Sequence, residues 1–341
     1  MSARQSGLAK KMMMKLELKI TKKEIETAVI LSIFAMVAVV AVKSVLFFEL
    51  QYEESLLIRK NLETQTVQKD PFDDLSLSAK AFYVWDTRAE KAIASFNEET
   101  QFPLASLTKL MTVLVASEIS PNGIIITIDQ PDLDGEGDNG LRAGEKWRLA
   151  DIIDFVLMSS SNDGARALAS VANAFADGEN AESGDDNDKD AKARALFIQE
   201  MNKEAKKLGL AQTFYLNESG LDITEALSGA YGSAKDTAIL LENILREYPY
   251  LLEVSACAKT RLDSDILSHS VDNTNQMINI FPNVVASKTG WTDLAGGNLV
   301  IAFDMGIGHT IIISILGSTK EDRFSDMEQL IWASIDKALS M

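Results

Sequence analysis

The sequence predicts an α+β architecture, an antiparallel sheet flanked by helices, preceded by an N-terminal transmembrane helix. Strand-like runs occur early and late, helical stretches fill the interval, and a helix comes last. That order suits an antiparallel sheet covered by helices. An apolar run at 27–48 is long enough to cross a bilayer. With 46% hydrophobic and 24% charged residues, the 341-residue chain can bury one large core or two small ones, which excludes a disordered or fibrous protein.

Residues 1–26 form a basic segment. Residues 1–23 hold seven Lys or Arg against one acidic residue, net +6, and leave −23 on the rest of a chain of net charge −17. The acidic remainder argues against nucleic acid as a partner, since phosphates need a basic surface. The span 27–48, TAVILSIFAMVAVVAVKSVLFF, is interrupted only by Lys43, one turn from its end, where the ammonium can snorkel to the interface. The cluster Lys10, Lys11, Lys15, Lys19, Lys22 and Lys23 precedes it and predicts a cytoplasmic N-terminus, with everything after Phe48 outside. A cleaved signal peptide is the competing possibility; the long flank and the lack of an Ala-x-Ala site favour a retained anchor, Val39-Val40-Ala41 being the weak cleavage candidate. Residues 49–75 read as a stalk, in which Pro71 and the acidic pairs of QKDPFDD break any helix begun at EESLLIRKNLE.

From residue 76 onward the pattern is that of a folded domain, 76–341. AKAFYVWDT and EKAIASF, separated by charged turn residues, predict a hairpin. Helices are expected over 105–118, 146–158, 162–176, 194–208 and 234–247, strands over 283–288, 298–304 and 309–316, and a final helix over 321–339. The run DGENAESGDDNDKDA at 177–191 is acidic and lacks aromatic residues, so it reads as a surface insertion. Asp186, Asp188 and Asp190 alternate as in a calcium loop, but the glycine and closing glutamate of such a loop are missing.

The chemistry is narrowed first by elimination. Two histidines, His269 and His309, lie 40 residues apart, which argues against a His-rich zinc site, and each is read as structural. No H-E-x-x-H, G-x-S-x-G or G-x-x-x-x-G-K-[ST] pattern occurs. The single cysteine, Cys257, cannot form an internal disulfide and is expected as a small buried residue. A serine enzyme without histidine needs another base, and a lysine serves if its surroundings lower its proton affinity. Ser106 and Lys109 in PLASLTKLMT are three apart near a predicted helix start, which places them on one face. Ser334 and Lys337 repeat the spacing in what reads as ordinary surface pattern. Ser160-Ser161-Asn162 sits between two predicted helices and can offer a hydroxyl and an amide to one cleft, whereas Ser120-Pro121-Asn122 reads as a turn. Lys288-Thr289-Gly290 occurs once, at the end of a β-rich run, where an edge strand would present a cation and a hydroxyl. Each triplet alone is compatible with surface or capping residues.

Together, Ser-x-x-Lys, a serine-containing triplet and Lys-Thr-Gly are the signature shared by class A β-lactamases and penicillin-binding proteins. PLASLTKLMT, LMSSSNDGA, MNKEAKKLGL, FYLNESGLD and SKTGWTDLAGG, in that order, resemble the serine D-alanyl-D-alanine carboxypeptidases, the low-molecular-weight penicillin-binding proteins of peptidase family S11, over about residues 76–340. The resemblance implies a β-lactamase/DD-peptidase-like fold in a bacterial cytoplasmic-membrane protein with one span and an extracytoplasmic catalytic domain. It implies Ser106 as nucleophile, Lys109 as general base, Ser160 as proton relay and Asn162 as orienting residue. Lys288, Thr289 and Gly290 would bind the substrate, the Lys288 cation would help keep Lys109 deprotonated, and the Trp291 backbone N–H would join Ser106 in an oxyanion hole. The implied substrates are peptidoglycan stem peptides, with β-lactams as covalent inhibitors and no metal or organic cofactor.

Several departures from the family pattern stand out. Ser161 replaces the usual glycine of the second motif and is expected to narrow the cleft; Trp291 stands where histidine is frequent. The chain is expected to lack the C-terminal β-domain and amphipathic anchor that many relatives carry, and the N-terminal span is expected to replace that anchor. A D,D-endopeptidase would use the same residues. A β-lactamase would need a Glu-x-x-Leu-Asn type loop, for which Glu218 is the nearest candidate. A non-catalytic wall-binding or scaffold domain on a membrane stalk is the alternative from another class.

Overall fold

A computed structural model describes residues 22–63, 69–121, 123–133, 135–137, 140–172, 186–281, 283–306 and 308–339. The lysines at 10, 11, 15 and 19, residues 173–185 and Asn122 lie outside the described residues. The chain divides into two units, Met1–Lys69 and Asp70–Met341.

The described part of the first unit is one helix, α1 (Lys22–Glu63), within which Ile25–Leu56 is long and apolar enough to cross a membrane. The helix does not end with the apolar run. Glu, Leu, Arg and Lys in EESLLIRKNLE are good helix formers with no Gly or Pro among them, so the first half of the expected stalk is helical.

In the second unit β1 (Ala81–Asp86) and β2 (Lys91–Phe96) form the expected hairpin. β3 (Phe102–Pro103) leads into a 3-10 turn, Ala105–Thr108, and α2 (Lys109–Ile119). β4 (Ile125–Thr127) pairs with β5 (Lys146–Arg148), so the helix expected from 146 begins only at α3 (Leu149–Ser159). The strand wins there because Trp147, opposite Ile126, buries its whole side chain. α4 (Asn162–Ala169) and a 3-10 turn to Ala172 follow. α5 (Asp186–Lys207) starts eight residues before the expected position, so residues 186–191 of the supposed insertion are helical. Next come β6 (Phe214–Tyr215), β7 (Ala230–Gly232) and α6 (Ala234–Glu247), whose bounds match the expectation. β8 (Lys259–Asp263) and β9 (Ser268–Asp272) form a polar hairpin that the sequence reading did not anticipate. β10 (Val284–Thr292), β11 (Gly296–Asp304), β12 (Thr310–Ser318) and α7 (Asp322–Leu339) complete the chain.

The main sheet is antiparallel in the order β10-β11-β12-β1-β2. Successive residues of one strand enter different cores. Leu299, Ile301, Phe303, Ile311, Ile313 and Ile315 pack with Met327, Leu330 and Ile331 of α7. Val300, Ala302, Ile312 and Leu316 face the core shared with α2 to α6. Both faces are buried, which is why TIIISIL is a continuous apolar run rather than an alternating one. β10 is an edge strand, and its Lys288 shares the face of Ala286 and Val300, toward α2 to α4.

Candidate active site

Ser106 occupies the 3-10 turn before α2 rather than the α-helix itself. The turn is reached through Ala105, whose φ of +48° lies in the left-handed region. This conformation costs an alanine about 1–3 kcal/mol and needs surroundings that fix it. They are present: Leu104 N donates to Ala230 O at 3.0 Å, Asn298 Nδ2 to Pro103 O at 2.9 Å and Thr108 Oγ1 to Ala105 O at 2.7 Å. Two glycines close on the same turn. A Cβ on Gly220 would lie 1.9 Å from Ala105 O, and one on Gly290 would lie 3.0 Å from Leu104 O and 3.2 Å from Ser106 N. Edge strand β10 therefore runs directly past the Ser106 backbone.

Lys109 is fully buried. Its Nζ lies 2.9 Å from Ser106 Oγ, 2.8 Å from Asn162 Oδ1 and 2.8 Å from the main-chain oxygen of Ser219. The Asn162 amide orientation is set on its far side, where Nδ2 donates to Glu136 O at 2.8 Å. Asn162 Oδ1 and Ser219 O can only accept. A neutral amine has two protons and one lone pair, so donating to both carbonyls leaves the lone pair for the Ser106 hydroxyl. Burial pushes Lys109 down from its ordinary 10.5 to about 7; Glu218 opposes the fall, Arg166 adds to it and Asp163 opposes it. Arg166 is thus a cation that lowers Lys109 without having been expected to, and burial first, then Lys109, holds Lys288 well below the usual lysine range.

Lys288 Nζ donates to Ser160 Oγ at 2.8 Å and to Thr289 O at 2.9 Å. Ser160 ends α3 in the left-handed conformation, φ +60°. The three sequence motifs therefore meet: Ser106 with Lys109, Lys109 with Asn162, and Ser160 with Lys288. Thr289 Oγ1 lies 2.7 Å from Thr274 Oγ1, and Trp291 is exposed with Lys320 Nζ 4.4 Å above its ring. Ser161 does not narrow the cleft. It is buried and accepts from Gly164 N at 3.0 Å as the N-cap of α4, so its hydroxyl is turned into the protein.

Sequence reasoning missed the Ser219 carbonyl, Arg166, Thr274 and Arg323, whose Nη1 donates to Gly290 O at 2.8 Å. Main-chain contacts have no side-chain signature; the only pointer was the FYLNESGLD block, in which Thr112 Oγ1 also donates to Glu218 O at 2.6 Å. The decoys lie elsewhere. Ser334 is buried rather than on the surface, donating to Leu330 O, and Lys337 pairs with Asp70. Cys257 is exposed, contrary to expectation, because it follows a short 3-10 turn rather than entering the core. His269 meets the buried Glu145 and His309 meets Asp86, each through Nε2. Among the described residues no group of three or more His, Cys, Asp or Glu is placed to hold a metal ion.

Known proteins share this arrangement of elements. Penicillin-binding protein D2 of Listeria monocytogenes, solved in an ampicillin-bound form, is 26% identical with a TM-score of 0.63, covering 76% of this chain and 98% of that one. The fold is that of the penicillin-binding DD-peptidases. The model of the D-alanyl-D-alanine carboxypeptidase family, peptidase S11, matches residues 63–319, and the chain belongs to that family. The D-alanyl-D-alanine carboxypeptidase DacF of Bacillus subtilis is 27% identical over 270 residues, 76% of this chain and 62% of that protein. A D-alanyl-D-alanine endopeptidase of Pseudomonas aeruginosa is 27% identical over 264 residues, 74% of this chain and 76% of that one. The chain thus spans about six tenths of the length of its DacF relative.

Proposed function

We propose that this protein is a serine D,D-carboxypeptidase that removes the terminal D-alanine from peptidoglycan stem peptides. The observation that supports this most directly is the Lys109 amine, desolvated and set between two carbonyl acceptors with its third contact on the Ser106 hydroxyl. Ser106 Oγ attacks the carbonyl between the two D-alanines while its proton passes to Lys109 Nζ. The Ser106 and Trp291 backbone N–H groups receive the developing oxyanion, each such donor being worth about 2.7–4 kcal/mol of barrier. Collapse breaks the C–N bond, and the proton returns to the leaving amine through Lys109 and Ser160. D-Alanine departs, and water then hydrolyses the acyl ester to restore Ser106. Asn162 orients Lys109 and the substrate amide.

Lys288 and Thr289 bind the terminal carboxylate. Burial and Lys109 disfavour a charge on Lys288, so an arriving carboxylate supplies the counter-charge that its protonated form otherwise lacks. α1 anchors the protein in the bacterial cytoplasmic membrane, with the folded domain 76–341 on the extracytoplasmic side. A D,D-endopeptidase is the second assignment, favoured by the relative from Pseudomonas aeruginosa that carries that name; crosslinked and linear peptides separate the two.

The test is the intact mass of the protein after brief exposure to benzylpenicillin, with the adduct mapped by peptide mass. An acyl group on Ser106, absent from Ser106→Ala together with D-alanine release, is the expected result. D-Alanine release retained by Ser106→Ala overturns the assignment. No adduct with penicillin intact indicates a scaffold, and no adduct with penicillin consumed indicates a β-lactamase.

A further inference from the structure

Lys109 Nζ meets Asn162 and Ser219, and their chain neighbours Asp163 and Glu218 belong with Arg166 and Arg194 to a partly dry cluster of four charged side chains. Glu218 and Asp163 are almost wholly buried, their side chains 1% and 3% exposed. Arg194, from α5, donates to Glu218 Oε1 at 2.8 Å, while Glu218 Oε2 has no hydrogen-bond partner among the described residues. Arg166 lies between the two carboxylates, Nη1 3.8 Å from Asp163 Oδ1 and Nε 3.9 Å from Glu218 Oε1. Its Nη1 also donates to Asp132 O at 3.2 Å. The space it fills is shaped for it: a Cβ on Gly135 would lie 1.6–1.9 Å from guanidinium atoms.

A buried carboxylate near a lysine holds that lysine's proton, which is the reverse of what a general base requires. We propose that Arg166 is a positioning residue for this site, its guanidinium, together with that of Arg194, offsetting the charges of Asp163 and Glu218 so that Lys109 can give up its proton. The inference rests on Lys109 acting as the base. Arg166 touches neither Ser106 nor the cleft groups and acts through the carboxylates.

The other charges around Lys109 do not supply this balance. Lys288 of β10 is itself depressed by burial first, then by Lys109 and by Arg323 of α7. Asp132 has its carboxyl pushed up to about 6 by burial, and it accepts from Asp129 N. On α3, Asp151 pairs with Arg148, and Asp154 lies in a groove beside Ser117, which is ~12 Å along α2 from Lys109. On α6, Asp236 accepts from Gln212 N and Thr213 Oγ1. Glu118 and Lys207 meet at the far end of α2.

The test follows the rate of Ser106 acylation by benzylpenicillin from pH 5 to 9, using the full chain in detergent micelles. Arg166→Met is expected to move the acid limb to higher pH by ~1 unit or more, with the alkaline plateau kept, since an uncompensated buried carboxylate raises a neighbouring lysine by that order. Arg166→Lys, which keeps the charge, stays near the wild-type limb. Glu218→Gln retains an acceptor for Arg194 and moves the limb the other way, to lower pH. A limb left in place in Glu218→Gln, or moved in the same direction by both substitutions, overturns the inference; if Arg166→Met does not fold, Glu218→Gln decides alone. A loss of plateau rate with no shift of the limb also overturns it, since that is what damaged packing produces. Wild-type protein that is not acylated at Ser106 instead refutes the assignment of the site.

Discussion

Replacing Lys109 by methionine should change the pH dependence of stability, in a direction opposite to that of a paired surface lysine. Folding lowers Lys109 from 10.5 to about 7, so between those values the unfolded chain binds one proton more than the native one. Stability then rises with pH at up to about 1.4 kcal/mol per unit. The burden on the native state is about 5 kcal/mol below pH 7, about 3 at pH 8 and about 1 at pH 10, and it vanishes above 10.5. Methionine has similar length and carries none of it, although it leaves Asn162 Oδ1 and Ser219 O without their donor, a pH-independent cost of about 1–3 kcal/mol each. From pH 8 to pH 10 the wild type should therefore gain about 2–3 kcal/mol on Lys109→Met. Native Lys109 is mostly neutral in that window, so its charge no longer acts on Lys288 and the difference isolates one titration. Urea unfolding of both proteins in the same detergent at the two pH values measures it. A stability difference that stays flat with pH would refute both the buried neutral amine and its assignment as base.

Two further substitutions probe how the turn and the second motif are held. Ser161→Ala removes the N-cap of α4 and should cost about 1 kcal/mol in chemical unfolding. Ser161→Gly should cost only a few tenths, and neither should alter the relative turnover of bulky and small acyl-D-Ala-D-Ala peptides, because this hydroxyl is not in the cleft. Gly220→Ala must displace the Ala105 carbonyl, which its Cβ would approach to 1.9 Å, and Gly220 itself has φ +79°. It should cut Ser106 acylation at least tenfold in protein whose circular dichroism is otherwise native; undiminished acylation would show that the turn is not held from this side.

The sheet and the final helix were legible because their hydrophobic pattern is long and unbroken: β11, β12, α6 and α7 begin and end within two residues of the expected bounds. The misplaced boundaries fall where two propensities compete. Lys146–Arg148 contains nothing hostile to a helix, and only the tertiary pairing of Trp147 with Ile126 makes it a strand. The hairpin of β8 and β9 has one buried apolar residue per strand, Leu262 and Val271, too little for a periodic pattern. In the site, side chains in compact motifs could be found, since three short words of sequence bring Ser106, Lys109, Ser160, Asn162 and Lys288 together. The Ser219 carbonyl could not, because any residue type supplies a carbonyl. Arg166 was equally silent, as a charged residue in a charged protein stands out only once its burial is known, and Glu218 drew notice only as a candidate for a β-lactamase glutamate, not as a charge beside Lys109.

The two left-handed residues of the site, Ala105 and Ser160, explain how a site without histidine can be assembled from such short motifs. Ala105 precedes the nucleophile, and Ser160 is itself a member of the hydroxyl–lysine pair with Lys288. Each bend lets the chain leave regular structure abruptly and turn a serine toward a lysine anchored on another element. An extended or helical backbone at 105 would carry Ser106 Oγ away from Lys109 Nζ, and α3 continued through 160 would abolish the break that lets Asn162 start α4. Strain of about 1–3 kcal/mol at each position is sustained only if the neighbours over-determine it. At Ala105 those neighbours are Ala230, Asn298, Gly220 and Gly290, drawn from β7, β11, the 216–222 segment and β10. The whole domain is therefore needed to hold one 3-10 turn, and the Lys288 edge strand that would bind the carboxylate also fixes the Ser106 backbone. Substrate anchoring and nucleophile placement are thus set by the same strand, which makes their separation sensitive to any change that shifts β10 relative to β11.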